Sequence, residues 1–311
     1  GDVVKAVDGV TFRVDAGSSF GIVGESGSGK STTAQALMRL VDPVAGSMSL
    51  GPHSLSGLEG EPLRKARKDI QMVFQDPFSS LNPRLRAGRA VREPLDLMDI
   101  GTKAEREARV DEMFEAVGLH PDAKRLFPHQ FSGGQRQRLC IARAMVTEPR
   151  LVVCDEPVSA LDVAIQAQIL NLLKGLQKTK NLTYIFISHD LAVVQNICTH
   201  VAVMYLGEFV ETGPVEEIFS GAQHPYTWSL MAAALSPDDR DQRRERFTVE
   251  GEPPSPINPP PGCRFAGRCP FAQDKCRTEK PVLSKVTNGH KVACHFAGEL
   301  TPPIPELAAT A

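Results

Sequence analysis

The chain has 311 residues, of which 41% are hydrophobic and 23% are charged, and its formal net charge is -2. This length and composition are typical of a folded protein of about two domains. The balance of 35 basic and 37 acidic residues argues against a nucleic-acid-binding surface, and we expect neither a secretory signal nor a membrane-spanning segment.

Short apolar runs alternate with amphipathic helical patterns along most of the chain. The runs that predict strands are Ser19–Val23, Ile70–Phe74, Leu151–Cys154, Tyr184–Ile187 and Val201–Tyr205. The patterns that predict helices are Ser31–Val41, Ala104–Val117 and Ile165–Leu176. This alternation predicts an α/β fold with a mainly parallel sheet that is covered by helices on both faces.

The composition changes after Leu235, where proline and then cysteine become frequent. Because proline lacks an amide donor, the sequence EPPSPINPPPG cannot form a helix or a central strand. Four of the seven cysteines follow it. We therefore predict a main α/β domain at residues 1–235 and a Pro-rich linker at residues 236–262. A small four-cysteine module should follow at residues 263–296, and a flexible end at residues 297–311.

The sequence from Gly24 to Ser31, GESGSGKS, matches the phosphate-binding pattern G-x-x-x-x-G-K-[ST]. Its small residues let the backbone wrap around phosphate oxygens, and the helix that follows adds the positive end of its dipole. Lys30 is predicted to neutralise the β- and γ-phosphates, and the Ser31 hydroxyl to bind Mg²⁺. The predicted ATP-binding residues of this loop are Gly24, Glu25, Ser26, Gly27, Ser28, Gly29, Lys30, Ser31 and Thr32.

The apolar run that begins at Leu151 leads into two acidic residues, Asp155 and Glu156. A carboxylate at the end of such a strand lies at the sheet edge where nucleotide sites form, so Asp155 is predicted to act near the Mg²⁺ ion. Glu156 is predicted to orient or deprotonate the water that attacks the γ-phosphate. Together with the phosphate-binding loop, this pair predicts a P-loop NTPase.

Further motifs resemble those of ATP-binding-cassette (ABC) ATPases. The sequence FSGGQ from Phe131 resembles their signature, at the start of a helix that runs to Thr147. The resemblance implies a helical subdomain at about residues 76–147, and a second, facing ATPase domain whose ATP contacts the signature. The resemblance assigns ATP contacts to the signature residues Ser132, Gly133, Gly134 and Gln135 and to Asp162 of the D-loop. It assigns Mg²⁺ binding to Ser31 and to Gln75 of the Q-loop. Catalysis is assigned to Lys30, Glu156 and the switch histidine His189.

Four segments resemble more narrowly the ATPases of oligopeptide and dipeptide importers, and especially the second, F-type, of the two that such importers use. They are QDPFSSLNP from Gln75, CDEPVSALD from Cys154, QAQILN from Gln166 and HPYT from His224. The resemblance implies a peripheral protein at the cytoplasmic face of the inner membrane that powers peptide import. Its implied partners are two transmembrane permease subunits and, indirectly, an extracytoplasmic peptide-binding protein.

Other functions of the same fold stay open as alternatives. An importer of nickel or another small solute would use the same ATPase subfamily. ABC ATPases of DNA repair carry long coiled coils before the signature, and ribosome-associated paired cassettes lack the HPYT segment, so the sequence disfavours both. No nucleic-acid partner is expected.

The family usually has an aromatic residue upstream of the phosphate-binding loop that stacks on adenine. That position would fall at or before Gly1, and Phe12 is expected in the core instead. Two hypotheses follow for the facing ATPase domain. It is either the preceding half of a fused two-cassette chain or a separate chain.

The late cysteines lack the close C-x₂₋₄-C pair of most zinc sites. A Cys-Pro pair among spaced thiolates is compatible with an iron–sulfur cluster. The segment also resembles the tail of peptide-importer ATPases, which implies a [4Fe–4S] cluster bound by Cys263, Cys269, Cys276 and Cys294. The alternatives are a zinc site, to which His290 and His295 could contribute, and unligated thiols; a cluster could also act as a redox sensor of assembly.

Overall fold

The computed structural model describes residues 3–234, 249, 251–252, 254–287 and 289–301. Residues 236–248 of the predicted linker and 302–311 of the predicted flexible end lie outside this part of the chain. None of the described helices combines the length and the apolar character needed to cross a bilayer.

The elements follow one another in chain order as strands and helices. The strands of the described residues are β1 Ser19–Val23, β2 Ser49–Leu50, β3 His53–Ser54, β4 Ile70–Val73, β5 Leu151–Asp155, β6 Thr183–Ser188, β7 His200–Tyr205, β8 Glu208–Pro214, β9 Ser284–Lys285 and β10 Lys291–Val292. The helices are α1 Lys30–Leu37, α2 Gly60–Ala66, α3 Pro77–Ser80, α4 Ala87–Leu97, α5 Lys103–Ala116, α6 Gly133–Met145, α7 Val163–Lys180, α8 Leu191–Ile197, α9 Val215–Gly221, α10 Pro225–Ala233 and α11 Asp274–Thr278. Short 3₁₀ helices lie at Pro121–Arg125 and Pro128–Gln130.

The chain divides into two compact units. The first comprises Gly1–Arg13, Ser19–Thr33 and Ile187–Ala311, and the second comprises Val14–Ser18 and Ala34–Phe186. Each unit buries large apolar side chains of its own, so each has a hydrophobic core.

In the first unit β1 pairs in parallel with β7, and Val23 lies opposite Val203. Strand β7 pairs with β8, β8 with β10 and β10 with β9, and these three pairings are antiparallel. The sheet is therefore mixed, whereas the sequence predicted a mainly parallel one. Helix α8 packs on β1, and α9 packs on β7 and β8.

In the second unit β4 pairs in parallel with β5, and Val73 lies opposite Cys154. Helices α3, α4 and α5 pack against α6, which also contacts β4 and α7. These helices bury Leu95, Phe114, Leu139 and Ile141 completely. Large apolar side chains at helical spacing thus account for the helical part that the sequence predicted between the strands now labelled β4 and β5.

The predicted strands all exist, but α1 is shorter than predicted. It ends at Leu37, because Arg39 adopts a left-handed backbone with φ +53°. The Arg39 guanidinium there donates hydrogen bonds to the Leu58 carbonyl at 3.3 Å and to the Asp42 carboxylate at 2.8 Å. Val41, predicted on the apolar face, is consequently 45% exposed.

Strand β8 was not predicted, although it carries the antiparallel half of the first unit's sheet. Leu206 and Gly207 form the turn between β7 and β8, with φ values of +43° and +85°. Two-residue hairpin turns of this kind usually have the sequence Asn-Gly or Asp-Gly. Because Leu206 stands at the first position here, the sequence lacked the usual signal for this turn.

The cysteine-bearing segment lies within the first unit and does not form a module of its own. Its strand β10 extends the sheet at β8, and the buried Phe265 ring contacts the rings of Tyr205 and Tyr226. His290 also forms a buried pair with Glu211, with 2.8 Å between Nε2 and Oε1. The segment is thus held by the sheet, by an aromatic cluster and by a buried polar contact.

Candidate functional site

The phosphate-binding loop connects β1 to α1 in the first unit, as predicted. A Cβ atom at Gly24 would overlap the Met204 carbonyl oxygen, because the parallel register of β1 and β7 continues into the loop. A Cβ atom at Gly29, where φ is +105°, would overlap the Ala6 carbonyl oxygen. Only glycine fits these two positions, and the resulting loop keeps its backbone free of side chains where phosphates would approach.

Polar groups of the loop are buried in a way that suits an anion. The Lys30 side chain is 5% exposed, and its ammonium donates hydrogen bonds to the carbonyls of Gly24 and Glu25, both at 2.8 Å. The Ser28 hydroxyl is buried and has no hydrogen-bond partner within the described residues. Ser26, Gly27 and Ser31 are exposed, so the outer face of the loop is open. A buried ammonium and an unsatisfied hydroxyl beside exposed backbone fit a polyphosphate ligand.

Glu25 has two contacts that the sequence did not predict. Its N–H donates to the Tyr226 hydroxyl at 2.7 Å, and its carboxylate accepts two hydrogen bonds from Arg268 at 2.8 and 3.2 Å. Tyr226 belongs to the HPYT segment, which the sequence singled out only as a family resemblance. No local signal could have identified either contact, because both partners lie more than 200 residues away in sequence.

In the second unit the structure brings together Gln75 and Glu156. The parallel register aligns Val73 with Cys154, so the residues two positions further on, Gln75 and Glu156, come to lie side by side. The Gln75 side-chain amide donates to the Glu156 carboxylate at 2.8 Å. Glu156 has a left-handed backbone with φ +46°, a strained conformation of the kind that is common at functional sites.

Asp155, His189 and Asp162 each lie at the end of a strand or the start of a helix. Asp155 is the last residue of β5 and is 7% exposed. His189 directly follows β6 and is exposed. Asp162 precedes α7, and its carboxylate accepts a hydrogen bond from the Ile165 N–H at 3.0 Å. Asp162 therefore has a structural role as a helix cap, beside the role that the sequence predicted.

The predicted signature forms the exposed start of α6 in the second unit. The Ser132 hydroxyl accepts from the Gln135 N–H at 3.3 Å, and the Gln135 side chain accepts from the Ser132 N–H at 2.9 Å. This reciprocal capping box fixes the first turn of the helix. A Cβ atom at Gly134 would lie 2.7 Å from the Ile165 side chain, so this glycine lets α6 approach α7 closely.

Comparison with protein families gives two matches. The family described as ABC transporter matches residues 7–159. The family described as the C-terminal region of oligopeptide/dipeptide transporters matches residues 210–276. The first match contains the phosphate-binding loop and Glu156, and the second contains Tyr226 and Arg268.

Similar proteins and structures agree with these matches. A probable peptide ABC transporter ATP-binding protein, y4tS of Sinorhizobium fredii, is 50% identical over 94% of this chain and 83% of the relative. The oligopeptide transport ATP-binding protein AppF of Bacillus subtilis is 49% identical over 94% of this chain and 90% of its own length. Among solved structures, the post-hydrolysis dimer of the ATP-binding cassette MJ0796 with ADP and phosphate aligns with a TM-score of 0.61 and 31% identity over 68% of this chain and 90% of that one. The cbiO1 subunit from Clostridium perfringens aligns with a TM-score of 0.63 and 28% identity over 70% of this chain and 84% of its own.

The prediction of a metal centre in the C-terminal segment is wrong. The names of the two relatives above mention no iron–sulfur cluster, and no group of three or more Cys, His, Asp or Glu side chains in the described residues is arranged to hold a metal ion. Burial raises the pKa of the Cys263 thiol to about 11 and that of Cys269 to about 12. The cavity that the four cysteines line measures about 20 Å³, which is room for about one water molecule. Neither the predicted [4Fe–4S] cluster nor the alternative zinc site is therefore supported at Cys263, Cys269, Cys276 and Cys294.

Proposed function

The chain belongs to the ABC transporter family as one of its ATP-binding proteins, and from this we propose that it hydrolyses ATP to drive the import of peptides through a membrane permease. The match that shows the family extends over 94% of the chain. The observation that carries a peptide as substrate is the match of residues 210–276 to the C-terminal region of oligopeptide/dipeptide transporters, and the two relatives above are named as peptide transport proteins.

In this proposal the residues of the phosphate-binding loop hold the nucleotide. Lys30 exchanges its two carbonyl contacts within the loop for phosphate oxygens, and the loop amides and the Ser28 hydroxyl donate to the same phosphates. Ser31, Gln75 and Asp155 would hold Mg²⁺, which supplies neutralisation of the charge that develops on the γ-phosphate. Binding and orientation are the main contributions of the protein, because phosphoryl transfer depends on positioning and charge neutralisation.

Glu156 is the residue to which we assign polarisation of the attacking water. The Gln75 amide donates a hydrogen bond to the Glu156 carboxylate at 2.8 Å and so helps to orient this group toward water. The left-handed backbone of Glu156 is a strained conformation, which is consistent with a functional position. His189, exposed after β6, is assigned to the γ-phosphate.

The partners follow from the parts of the chain that are exposed. Ser132 and Gln135 present the start of α6 outward, where they would contact the ATP of a facing ATPase domain. We assign the contact with the permease to the surface after Gln75, and the 64% exposure of Phe78 under the Arg136 guanidinium, 3.9 Å away, supports this assignment. The protein would then act at the cytoplasmic face of the inner membrane, and a peptide-binding protein would deliver the substrate to the permease.

Substitution of Glu156 by glutamine tests the hydrolytic assignment. Glutamine can still accept the hydrogen bond from Gln75 but cannot take a proton, so kcat should fall about thousandfold while ATP binding is unchanged. Glu148→Gln is the matched control, because Glu148 is also a left-handed glutamate, with φ +54°, but is an exposed residue outside the predicted site. If the Glu156→Gln protein hydrolysed ATP within about tenfold of the wild-type rate, Glu156 would not be the base.

Uptake measurements test the peptide assignment against import of nickel. Cells that lack this chain should lose uptake of a labelled dipeptide or oligopeptide and regain it with the wild-type gene, but not with the Glu156→Gln gene. Uptake of labelled nickel should be the same in all three strains. Loss of nickel uptake with normal peptide uptake would replace the peptide proposal by the alternative.

A further inference from the structure

The segment from residue 254 to 301, which we call the tail segment, contacts the phosphate-binding loop through Arg268. The two terminal nitrogens of Arg268 donate to the two carboxylate oxygens of Glu25, at 2.8 and 3.2 Å. This is the two-pronged geometry in which arginine binds a carboxylate most strongly. A residue far along the chain is thereby joined to the second residue of the loop.

The Arg268 side chain is held firmly in place. It is 10% exposed, and its guanidinium lies 5.9 Å from the centre of the Tyr205 ring and 6.0 Å from that of Phe265. Burial opposes its charge, but the hydrogen bonds to the Glu25 carboxylate and the attraction of that carboxylate outweigh burial and raise the pKa of Arg268. The positive charge beside Glu25 is therefore permanent.

The backbone of Glu25 is held from the same side. Its N–H donates to the hydroxyl of Tyr226, whose ring is completely buried and lies 4.6 Å from the Tyr205 ring. The Glu25 carbonyl in turn accepts a hydrogen bond from Lys30. The conformation of Glu25 thus determines one of the two carbonyls that the Lys30 ammonium contacts.

We propose that Arg268 is a positioning residue of the nucleotide site: it neutralises Glu25 and holds the phosphate-binding loop in its binding conformation. Glu25 places a negative charge within a loop that receives a polyphosphate, and without a partner that charge would repel the ligand. The inference rests on the proposed function, because it assigns a role in ATP binding to a residue outside the loop. It also gives the tail segment a function that needs no metal.

The test compares ATP affinity and steady-state kinetics of Arg268→Gln with the wild-type protein. Loss of one charge-assisted pair should raise the Kd and the KM for ATP about tenfold, with kcat changed less than about twofold. Because the cause is repulsion, the difference should shrink as the salt concentration is raised. Arg268→Lys keeps the charge but cannot form the two-pronged pair, so its Kd should lie between those of the wild type and Arg268→Gln. Lys280→Gln is the matched control, since it removes one positive charge from the same segment at a half-exposed side chain that pairs with Glu208.

Removal of the carboxylate distinguishes charge neutralisation from a merely structural role. The double variant Glu25→Gln, Arg268→Gln should recover most of the lost affinity, because the repelling charge is gone. An Arg268→Gln protein with wild-type affinity, equal losses in Lys280→Gln, or a double variant no better than the single one would each overturn the proposal. If Arg268→Gln does not fold, Glu25→Gln alone decides: it should bind ATP at least as tightly as the wild type, and weaker binding would overturn the proposal.

The outcome is separable from that of the proposed function. A wild-type protein without ATPase activity would refute the proposed function, whatever the Arg268 variants do. A wild-type protein that hydrolyses ATP, with Arg268→Gln binding ATP equally well, would refute only the role of Arg268.

Discussion

Two adjacent glycines at the start of α6 should respond in opposite ways to the same substitution. A Cβ atom at Gly133 would lie 3.7 Å from the Leu161 side chain, which is an ordinary van der Waals contact. A Cβ atom at Gly134 would lie 2.7 Å from Cγ2 of Ile165, which is too close. Ile165 is β-branched and stiff, so its side chain cannot simply rotate away.

The magnitudes follow from these distances. Replacement of glycine by alanine in a helix stabilises the folded state by about 0.5 kcal/mol at such a position, because the unfolded chain loses freedom. At Gly133 this gain should stand alone. At Gly134 the overlap should cost about 1–3 kcal/mol, so Gly134→Ala should be less stable than Gly133→Ala by about 2 kcal/mol.

Thermal and urea unfolding, followed by circular dichroism, measure this difference. The melting temperatures of the two variants should differ by about 4 °C, with Gly133→Ala at or above the wild type. Stability is the proper measurement, because both residues lie in the predicted signature and both substitutions can affect turnover. Ile165→Ala in the Gly134→Ala background should relieve the overlap, so the double-mutant cycle should show a favourable coupling of about 1 kcal/mol.

Equal destabilisation by the two alanine substitutions would refute this reasoning, since the contact with Ile165 is the feature that separates them. A coupling near zero in the cycle would refute it as well. Either result would mean that the contact with Ile165 does not limit which side chain fits at Gly134.

Two further predictions concern stability. Burial lowers the pKa of His224 to about 4 although the Glu211 carboxylate opposes this, and the His224 Nδ1 accepts the Tyr226 N–H. The unfolded chain therefore binds more protons than the folded one between about pH 6.5 and 4, so the free energy of unfolding should fall by about 2 kcal/mol from pH 7.5 to 5. His224→Asn keeps an acceptor for the helix cap and should reduce this pH dependence, as measured by unfolding curves at several pH values. An unchanged dependence of stability on pH would contradict the assignment to His224. Asp162→Ala should lower the free energy of unfolding by about 1 kcal/mol, because α7 loses its N-terminal cap, whereas Asp162→Asn should lower it by only about a few tenths. Equal melting temperatures for the two variants would exclude capping as a role of Asp162.

Short-range patterns determined much of this protein. The phosphate-binding loop, the strand before it and the acidic pair after β5 are contiguous in sequence, and their conformations depend on neighbouring residues. The glycines at positions 24 and 29 are required by backbone contacts, so the pattern that predicts the loop is also the pattern that the structure needs. For the same reason the predicted strands are found close to their predicted limits.

Contacts across the sequence were decided by the tertiary structure. The pairing of Gln75 with Glu156 depends on the register of β4 and β5, which no local pattern specifies. The binding of Glu25 by Arg268 and Tyr226 depends on packing between segments more than 200 residues apart. The cysteine spacing suggested a cluster, but the packing of the tail segment gives no group of side chains among the described residues that is arranged to hold a metal ion. Spacing along a chain specifies which groups are available, whereas burial and register specify their neighbours and their charge.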